Sequence, residues 1–282
     1  MYECKVKNHF GEVLNLSTSS KYTLYKITGL QPPASAVNTS NNATSDGVTI
    51  NSVRVGKRNI VLYIALEGDV ERNRINLYKY FPLKQTVTIY FKNNSRDVCI
   101  EGTVELINCD FFVKKQVVQV SVICPQPYFK AINDVVSYFS DVSALFQFPF
   151  SISETGVELS AITTNIRKSI INAGDVASGM VIKLYAIGTV VNPIIYDVLR
   201  RTHIKLTCTM EAGDTIVINT NHGQKSITRV RAGVSSNIMG CMYPSSSWLT
   251  LEAGDNVFTY DCEAGNSNLQ ITVTTPVLYG GV

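Results

Sequence analysis

Apolar and polar positions alternate most cleanly just before the middle of the chain. Val118, Val120, Val122 and Cys124 fall on one side, and Gln119 and Ser121 on the other. A period of two predicts a strand with one buried face. Pro125 and Pro127 stop it, because neither can donate a ladder hydrogen bond and each holds the residue before it extended. The resulting stiff connector predicts the end of a domain.

The same alternation predicts strands upstream over 22–27, 48–54, 59–66, 86–91 and 98–106. Residues 48–54 and 59–66 read as one hairpin turning through Val55-Gly56-Lys57-Arg58, where glycine supplies positive φ. Residues 34–46, Ala-Ser-Ala-Val-Asn-Thr-Ser-Asn-Asn-Ala-Thr-Ser-Asp, have almost nothing to bury. They read as a long exposed loop, an arm suited to ordering against a neighbouring subunit. One short helix follows: Asp69 is its N-cap, Glu71 suits the first turn, Val70, Leu77 and Phe81 share a face, and Pro82 ends it.

Beyond the connector, Ile132, Val135, Val136, Phe139, Val142, Leu145 and Phe146 recur at helical spacing, which predicts an amphipathic helix closed at Gln147-Phe148-Pro149. Short β runs then follow at 157–159, 165–171, 180–187, 204–210, 215–219, 226–230, 248–251, 256–260 and 268–274, the spacing of a sandwich or jelly roll. Ala-Gly-Asp recurs at 173–175, 212–214 and 253–255. The stretches between share little else, so the triplet reads as a turn from which a strand departs rather than as a propeller repeat. Nor does each site offer the ring of oxygen ligands that calcium requires. The expected division is 1–133 and 134–282.

The chain has 282 residues, 45% of them hydrophobic and 17% charged, with the apolar residues in short β-branched and aromatic clusters. That composition favours β structure in two domains, each able to bury its own core. No apolar run approaches the roughly 20 residues of a membrane-spanning helix. The start, Met1-Tyr2-Glu3-Cys4-Lys5, has no apolar signal core, so synthesis and folding in a cytoplasm are expected, and Asn-x-Ser/Thr triplets at Asn15, Asn38, Asn42 and Asn93 carry no weight there. Seven cysteines without CxxC spacing read as buried free thiols, although Cys99 with Cys109 across a hairpin, or Cys208 with Cys262 across a sandwich, could meet. The net charge of +3 divides unevenly: 16 Lys plus Arg against 10 Asp plus Glu in 1–133 leaves +6, and 9 against 12 in 134–282 leaves −3. The plainer reading is ordinary surface variation; the sharper one is that the first domain faces a polyanion or an acidic partner, although its charges are dispersed with no basic stretch. Arg72 and Arg74 also admit a phosphate-binding reading, but a solvated helix face is the plainer one.

Catalytic signatures are missing. His9, His203 and His222 stand in unrelated contexts, and no nucleophile elbow, phosphate loop or dinucleotide fingerprint occurs. No cofactor and no metal are expected. Trp248, the single tryptophan, could offer a flat face to a sugar, yet packing at the core or its rim is the commoner use.

With these residues in view, the chain resembles the distal tail (Dit) proteins of siphophages. In the first domain the resemblance rests on Gly29-Leu30-Gln31-Pro32-Pro33, Gly56-Lys57-Arg58-Asn59-Ile60-Val61-Leu62 and Ile123-Cys124-Pro125-Gln126-Pro127-Tyr128-Phe129. In the second it rests on Asn172-Ala173-Gly174-Asp175, Gly188-Thr189-Val190-Val191-Asn192-Pro193, the run from Ala212 to Thr220, that from Ser247 to Asn256, and the terminal Tyr279-Gly280-Gly281-Val282. Order and spacing, rather than any single motif, make the combination specific. The resemblance implies a mainly β chain: an N-terminal β-sandwich or split-barrel-like ring-forming domain with one helix and an extended arm, plus a C-terminal galectin-like β-sandwich.

It further implies a structural, non-enzymatic tail-tip component that forms a homohexameric ring. Its neighbours would be the tail tube protein and the tail-associated lysin or tip fibre protein, with receptor-binding proteins beyond. Duplex DNA would pass through the channel without specific binding, and no membrane insertion is implied. The protein would be made in the bacterial host and reside at the virion tail tip. Subunit-interface candidates are Asn38, Asn41 and Asn42 of the arm and Arg72, Arg74 and Tyr78 of the helix. Galectin-like describes shape alone: Asn221-His222-Gly223-Gln224-Lys225 does not fit the His-x-Asn-x-Arg sugar site, so no carbohydrate-binding residue is carried over. The alternative function is a carbohydrate-binding adhesion module of a phage or bacterial surface apparatus.

Overall fold

The computed structural model describes residues 2–113, 115–144, 160–164 and 167–282. The chain forms two compact units, Met1–Ile132 with Leu278–Val282, and Asn133–Val277. The last five residues, expected in the second domain, instead belong to the first.

The first unit contains β1 (Glu3–Asn8), β2 (Val13–Asn15), β3 (Tyr22–Thr28), β4 (Ser35–Asn41), β5 (Val48–Val55), β6 (Arg58–Leu66), α1 (Val70–Tyr80), β7 (Thr86–Lys92), β8 (Asp97–Cys109), β9 (Val117–Cys124) and β10 (Phe129–Ala131). Its main sheet is antiparallel, in the order β2-β1-β7-β8-β9-β6-β3. The alternation read from sequence holds at its centre: Val118, Val120, Val122 and Cys124 are fully buried against Ile60, Leu62 and Ile64 of β6. A side chain at Gly102 of β8 would meet Val122 Cγ1 at 2.6 Å, so close packing there needs glycine. The helix is the one expected. Asp69 accepts from the Arg72 N–H at 3.2 Å, Leu77 and Phe81 are buried, and Asn73 is fixed by the Glu67 carbonyl and by the Tyr22 hydroxyl, which donates to its carbonyl.

Three expectations fail in this unit. Residues 34–46 are not a loop throughout, because β4 pairs with β5 from Ser35↔Val55 to Asn41↔Val48. Consequently β5 does not form a hairpin with β6, which lies between β3 and β9. Serine, threonine and asparagine obscured β4, since its side chains bury nothing: the strand is exposed along its whole length. Cys99 and Cys109, moreover, lie on the same strand, ten positions apart, so they cannot meet across a hairpin. All seven cysteines are free thiols. Burial pushes those of Cys4 and Cys262 up to about 12 and those of Cys124 and Cys208 to about 11.

The second unit contains β11 (Val135–Tyr138), β12 (Ser140–Ala144), β13 (Ser160–Thr164), β14 (Arg167–Asn172), β15 (Val181–Ala186), β16 (Val190–Val191), β17 (Ile194–Asp197), β18 (Thr202–Lys205), β19 (Thr209–Met210), β20 (Thr215–Asn219), β21 (Ser226–Arg231), β22 (Val234–Asn237), β23 (Gly254–Asp261) and β24 (Leu269–Thr275). A six-stranded sheet, β11-β24-β15-β20-β21-β22, and a four-stranded sheet, β14-β23-β17-β18, contribute to one core. Ile182, Leu184, Ile216, Ile218, Ile271 and Val273 come from the first, and Ile170, Ile195, Ile204, Phe258 and Tyr260 from the second. The final strand, β25 (Leu278–Tyr279), pairs with β10 in the first unit.

The amphipathic helix expected from Ile132 to Phe146 is absent; β11 and β12 occupy residues 135–144, and Leu145 and Phe146 lie outside the described residues. Val135, Val136 and Tyr138 are exposed, while Phe139 is buried edge-on to Tyr260, with ring centroids 5.8 Å apart. Tandem β-branched valines favour extended backbone, and β24 supplies β11 with ladder partners from Val135↔Thr275 to Tyr138↔Thr272. The strand expected at 157–159 also lies outside the described residues. Residues 248–251 form no regular strand; Leu251 bridges Ser178 alone, with Leu249 and Leu251 buried and Trp248 half-buried at the core's rim.

Candidate assembly surface

The β4–β5 hairpin is a ribbon with two unlike faces. On one lie Val37, Thr39 and Asn41 opposite Val53, Ile50 and Val48; on the other lie Ala36, Asn38 and Ser40 opposite Arg54, Ser52 and Thr49. The apolar members are 50–62% exposed. A bulge between Asn38 and Thr39 leaves Asn51 unpaired on the opposite strand, where it accepts from the Ser40 hydroxyl at 3.3 Å. Asn38 donates to Ser52 Oγ at 2.9 Å, and Asn42 accepts from the Thr49 hydroxyl at 3.1 Å. Thus Asn38 and Asn42 stitch the ribbon, and Asn41 stands on its apolar side.

Helix α1 brings Arg74 and Tyr78, four residues apart, together. Arg74 donates to the Tyr78 hydroxyl at 2.9 Å, pairs with Glu71, and lies 4.6 Å from the Phe111 ring centroid. With its side chain only 11% exposed, Arg74 is committed within its own unit, and its hydrogen bond to Tyr78 raises its pKa. Arg72, by contrast, is exposed. The structure adds a feature the sequence reading missed: Phe111, Phe112 and Val113, at the tip between β8 and β9, are all exposed, and Ile75 of α1 is 52% exposed. Three successive apolar residues in a turn were the available signal.

At the root of the hairpin sits Arg58, the first residue of β6 and 3% exposed. Its guanidinium donates to the carbonyls of Pro127 (2.6 Å), Gly29 (2.5 Å), Gln31 (2.8 Å) and Gly280 (2.5 Å), and lies 4.5 Å from the Phe129 ring centroid. Four backbone carbonyl dipoles and one ring face receive the charge. Burial lowers the Arg58 pKa from its ordinary value. Gly29 must be glycine, since φ is +87° and a Cβ would stand 2.1 Å from the Asn59 carbonyl oxygen. An isolated arginine at a strand start carries no signal of such a role.

In the second unit the Ala-Gly-Asp triplets act largely as turns. Gly213 and Gly254 have φ of +89° and +90°, and β20 and β23 start at once; Gly174 does not share that conformation. Asp214 is buried, accepts from the Glu211 N–H at 2.9 Å and holds Arg231. The Arg231 hydrogen bond lowers the Asp214 pKa. Trp248 carries the Lys225 ammonium 5.5 Å from its ring centroid. Among the described residues no group of three or more His, Cys, Asp or Glu could hold a metal ion, and no helix is long and apolar enough to cross a membrane.

Residues 173–275 match the family model of the siphovirus-type tail component, C-terminal domain. No curated protein matches the chain. In fold, the chain is similar to SPP1 Dit, a paradigm of the hub adsorption apparatus in phages infecting Gram-positive bacteria, at TM-score 0.68 and 12% identity over 96% of this chain and 98% of that one. It is also similar to a chain of the phage P2 baseplate in its activated conformation with Ca, at TM-score 0.51 and 11% identity, covering 98% of each. Residues 173–275 therefore match the C-terminal domain of siphovirus-type tail components, and along nearly its whole length the chain is similar in fold to SPP1 Dit.

Proposed function

We propose that the protein forms a homohexameric ring at the phage tail tip, joining the tail tube protein to the tail-associated lysin or tip fibre protein and the receptor-binding apparatus, with duplex DNA passing through without specific binding. It acts as a connector without turnover. The observation that carries the ring is the β4–β5 hairpin. A lone two-stranded hairpin is marginal in water, and this one keeps Val37, Val48, Ile50 and Val53 exposed on one face, so a second copy is its natural cover. Asn38, Asn41, Asn42, Arg72 and Tyr78 are its polar contact candidates. Arg74 acts through Tyr78 rather than by reaching outward, because Glu71 and Phe111 already engage it.

The test is the mass of the purified protein by light scattering, with negative-stain images of the same peak, for the natural chain and for Ile50→Asn with Val53→Asn. A sixfold ring from the natural chain and smaller species from the variant are expected. Rings formed equally by both would remove the hairpin from the interface, and monomers from both, with or without added tail tube protein, would sink the ring.

A further inference from the structure

Chain residues 278–282 leave the second unit's sequence and finish in the first. Leu278 and Tyr279 pair with Lys130 and Phe129 of β10. Arg58 holds the Gly280 carbonyl at 2.5 Å, Arg96 holds the Gly281 carbonyl and lies 4.3 Å from the Tyr279 ring centroid, and the Val282 N–H donates to the Leu30 carbonyl at 3.1 Å. The segment is thus bound as an extended peptide, with main-chain pairing along one side and arginine donors on its carbonyls.

The contacts differ in what they demand. Tyr279 supplies the face for Arg96. At Gly281 a Cβ would come 2.8 Å from Pro32 Cδ and 3.1 Å from the Leu30 carbonyl oxygen, whereas at Gly280 it would meet nothing within 4 Å. The pocket therefore reads Tyr-x-Gly. Its walls, Gly29 to Pro32 and Arg58, are also the two roots of the hairpin, since β4 starts at Ser35 and β5 ends at Val55.

We propose that the first unit carries a cleft selective for an extended Tyr-x-Gly peptide, filled in cis by Tyr279-Gly280-Gly281, and that its filling fixes the root of the β4–β5 hairpin. The consequence for assembly rests on the hairpin reading above; the cleft itself does not. A free peptide of the same pattern, or the tail of another copy, would compete for it.

The test is amide hydrogen exchange on the full chain lacking 278–282, without and with the peptide Val-Leu-Tyr-Gly-Gly-Val. Removal of the tail is expected to cut protection at Gly29 to Gln31 and at Arg58 at least tenfold while β7 to β9 keep theirs. Added peptide should restore it. The peptide with its second glycine, the Gly281 equivalent, replaced by valine should fail, and one with its first glycine replaced by alanine should succeed. Unchanged root protection without the tail, or equal rescue by both altered peptides, overturns the proposal. Where the shortened chain does not fold, Gly281→Val in the intact chain should expose only the tail and hairpin root; loss of protection throughout β6 to β9 would make the tail ordinary core and overturn it. Lost root protection with ring mass unchanged would keep the cleft and sink the hairpin's role in the ring.

Discussion

Two antiparallel ribbons of the first unit, β4–β5 and β8–β9, share a bulged register and opposite fates. In β8–β9, Val98, Ile100, Val118, Val120 and Val122 are buried within the sheet's core. In β4–β5 a comparable alternation of valine and isoleucine stays 50–62% exposed. Backbone pairing and cross-strand side-chain bonds define the second ribbon's shape, but burial, the dominant stabilising term, is missing from it. That exposed apolar face is the observation on which the assembly proposal rests.

The comparison is sharpened first where the effect is largest. Leu62→Ala, beside Val120 of β9 in the core of the sheet, is expected to cost about 2–5 kcal/mol in denaturant unfolding, whereas Ile50→Ala should stay within about 0.5 kcal/mol for the monomer. A comparable loss at Ile50 would mean that the hairpin is part of the monomer's cooperative fold. Next comes the hairpin's root. Gly29→Ala is expected to cost at least about 1–2 kcal/mol from the left-handed backbone alone, with the approach to Asn59 adding to it, measured as a fall in the thermal midpoint.

The smallest effect serves as a control in the other unit. The folded Asp214 pKa is depressed, so its contribution is present above the unfolded value of about 3.9 and is lost as pH falls through the folded value. Asp214→Asn should therefore lower stability by about 1 kcal/mol at pH 7, discounted because Arg231 is 38% exposed, and flatten the loss below about pH 4. An unchanged acid profile in the variant would show that other carboxylates govern it.

Much of the β character was legible because burial leaves a period of two in the residues themselves. Residues 117–124, 86–92 and 215–219 show it directly, and the cap and stop of α1 are local chemistry at Asp69 and Pro82. Where side chains bury little, that imprint fades. The polar strand β4 looked like a loop, and β11, exposed at Val135 and Val136, offered an apolar spacing that also suited a helix. Arg74 and Tyr78 lie on a helix that its local cap and stop already marked, while the role of Arg58 left no local trace, because its four carbonyl partners come from residues 29, 31, 127 and 280.

By itself, then, the sequence determined where the strands with a buried face and the cap and stop of α1 lie, how their apolar residues divide between faces, and that no familiar catalytic motif is present, since these follow from neighbours within a few positions. Only the tertiary structure decided that β5 pairs with β4 rather than β6, that residues 278–282 complete the first unit, and that Arg58 binds backbone instead of carboxylate. Those outcomes depend on contacts between positions as much as 222 residues apart. They are selected by which edges and carbonyls remain unpaired once the sheets have formed.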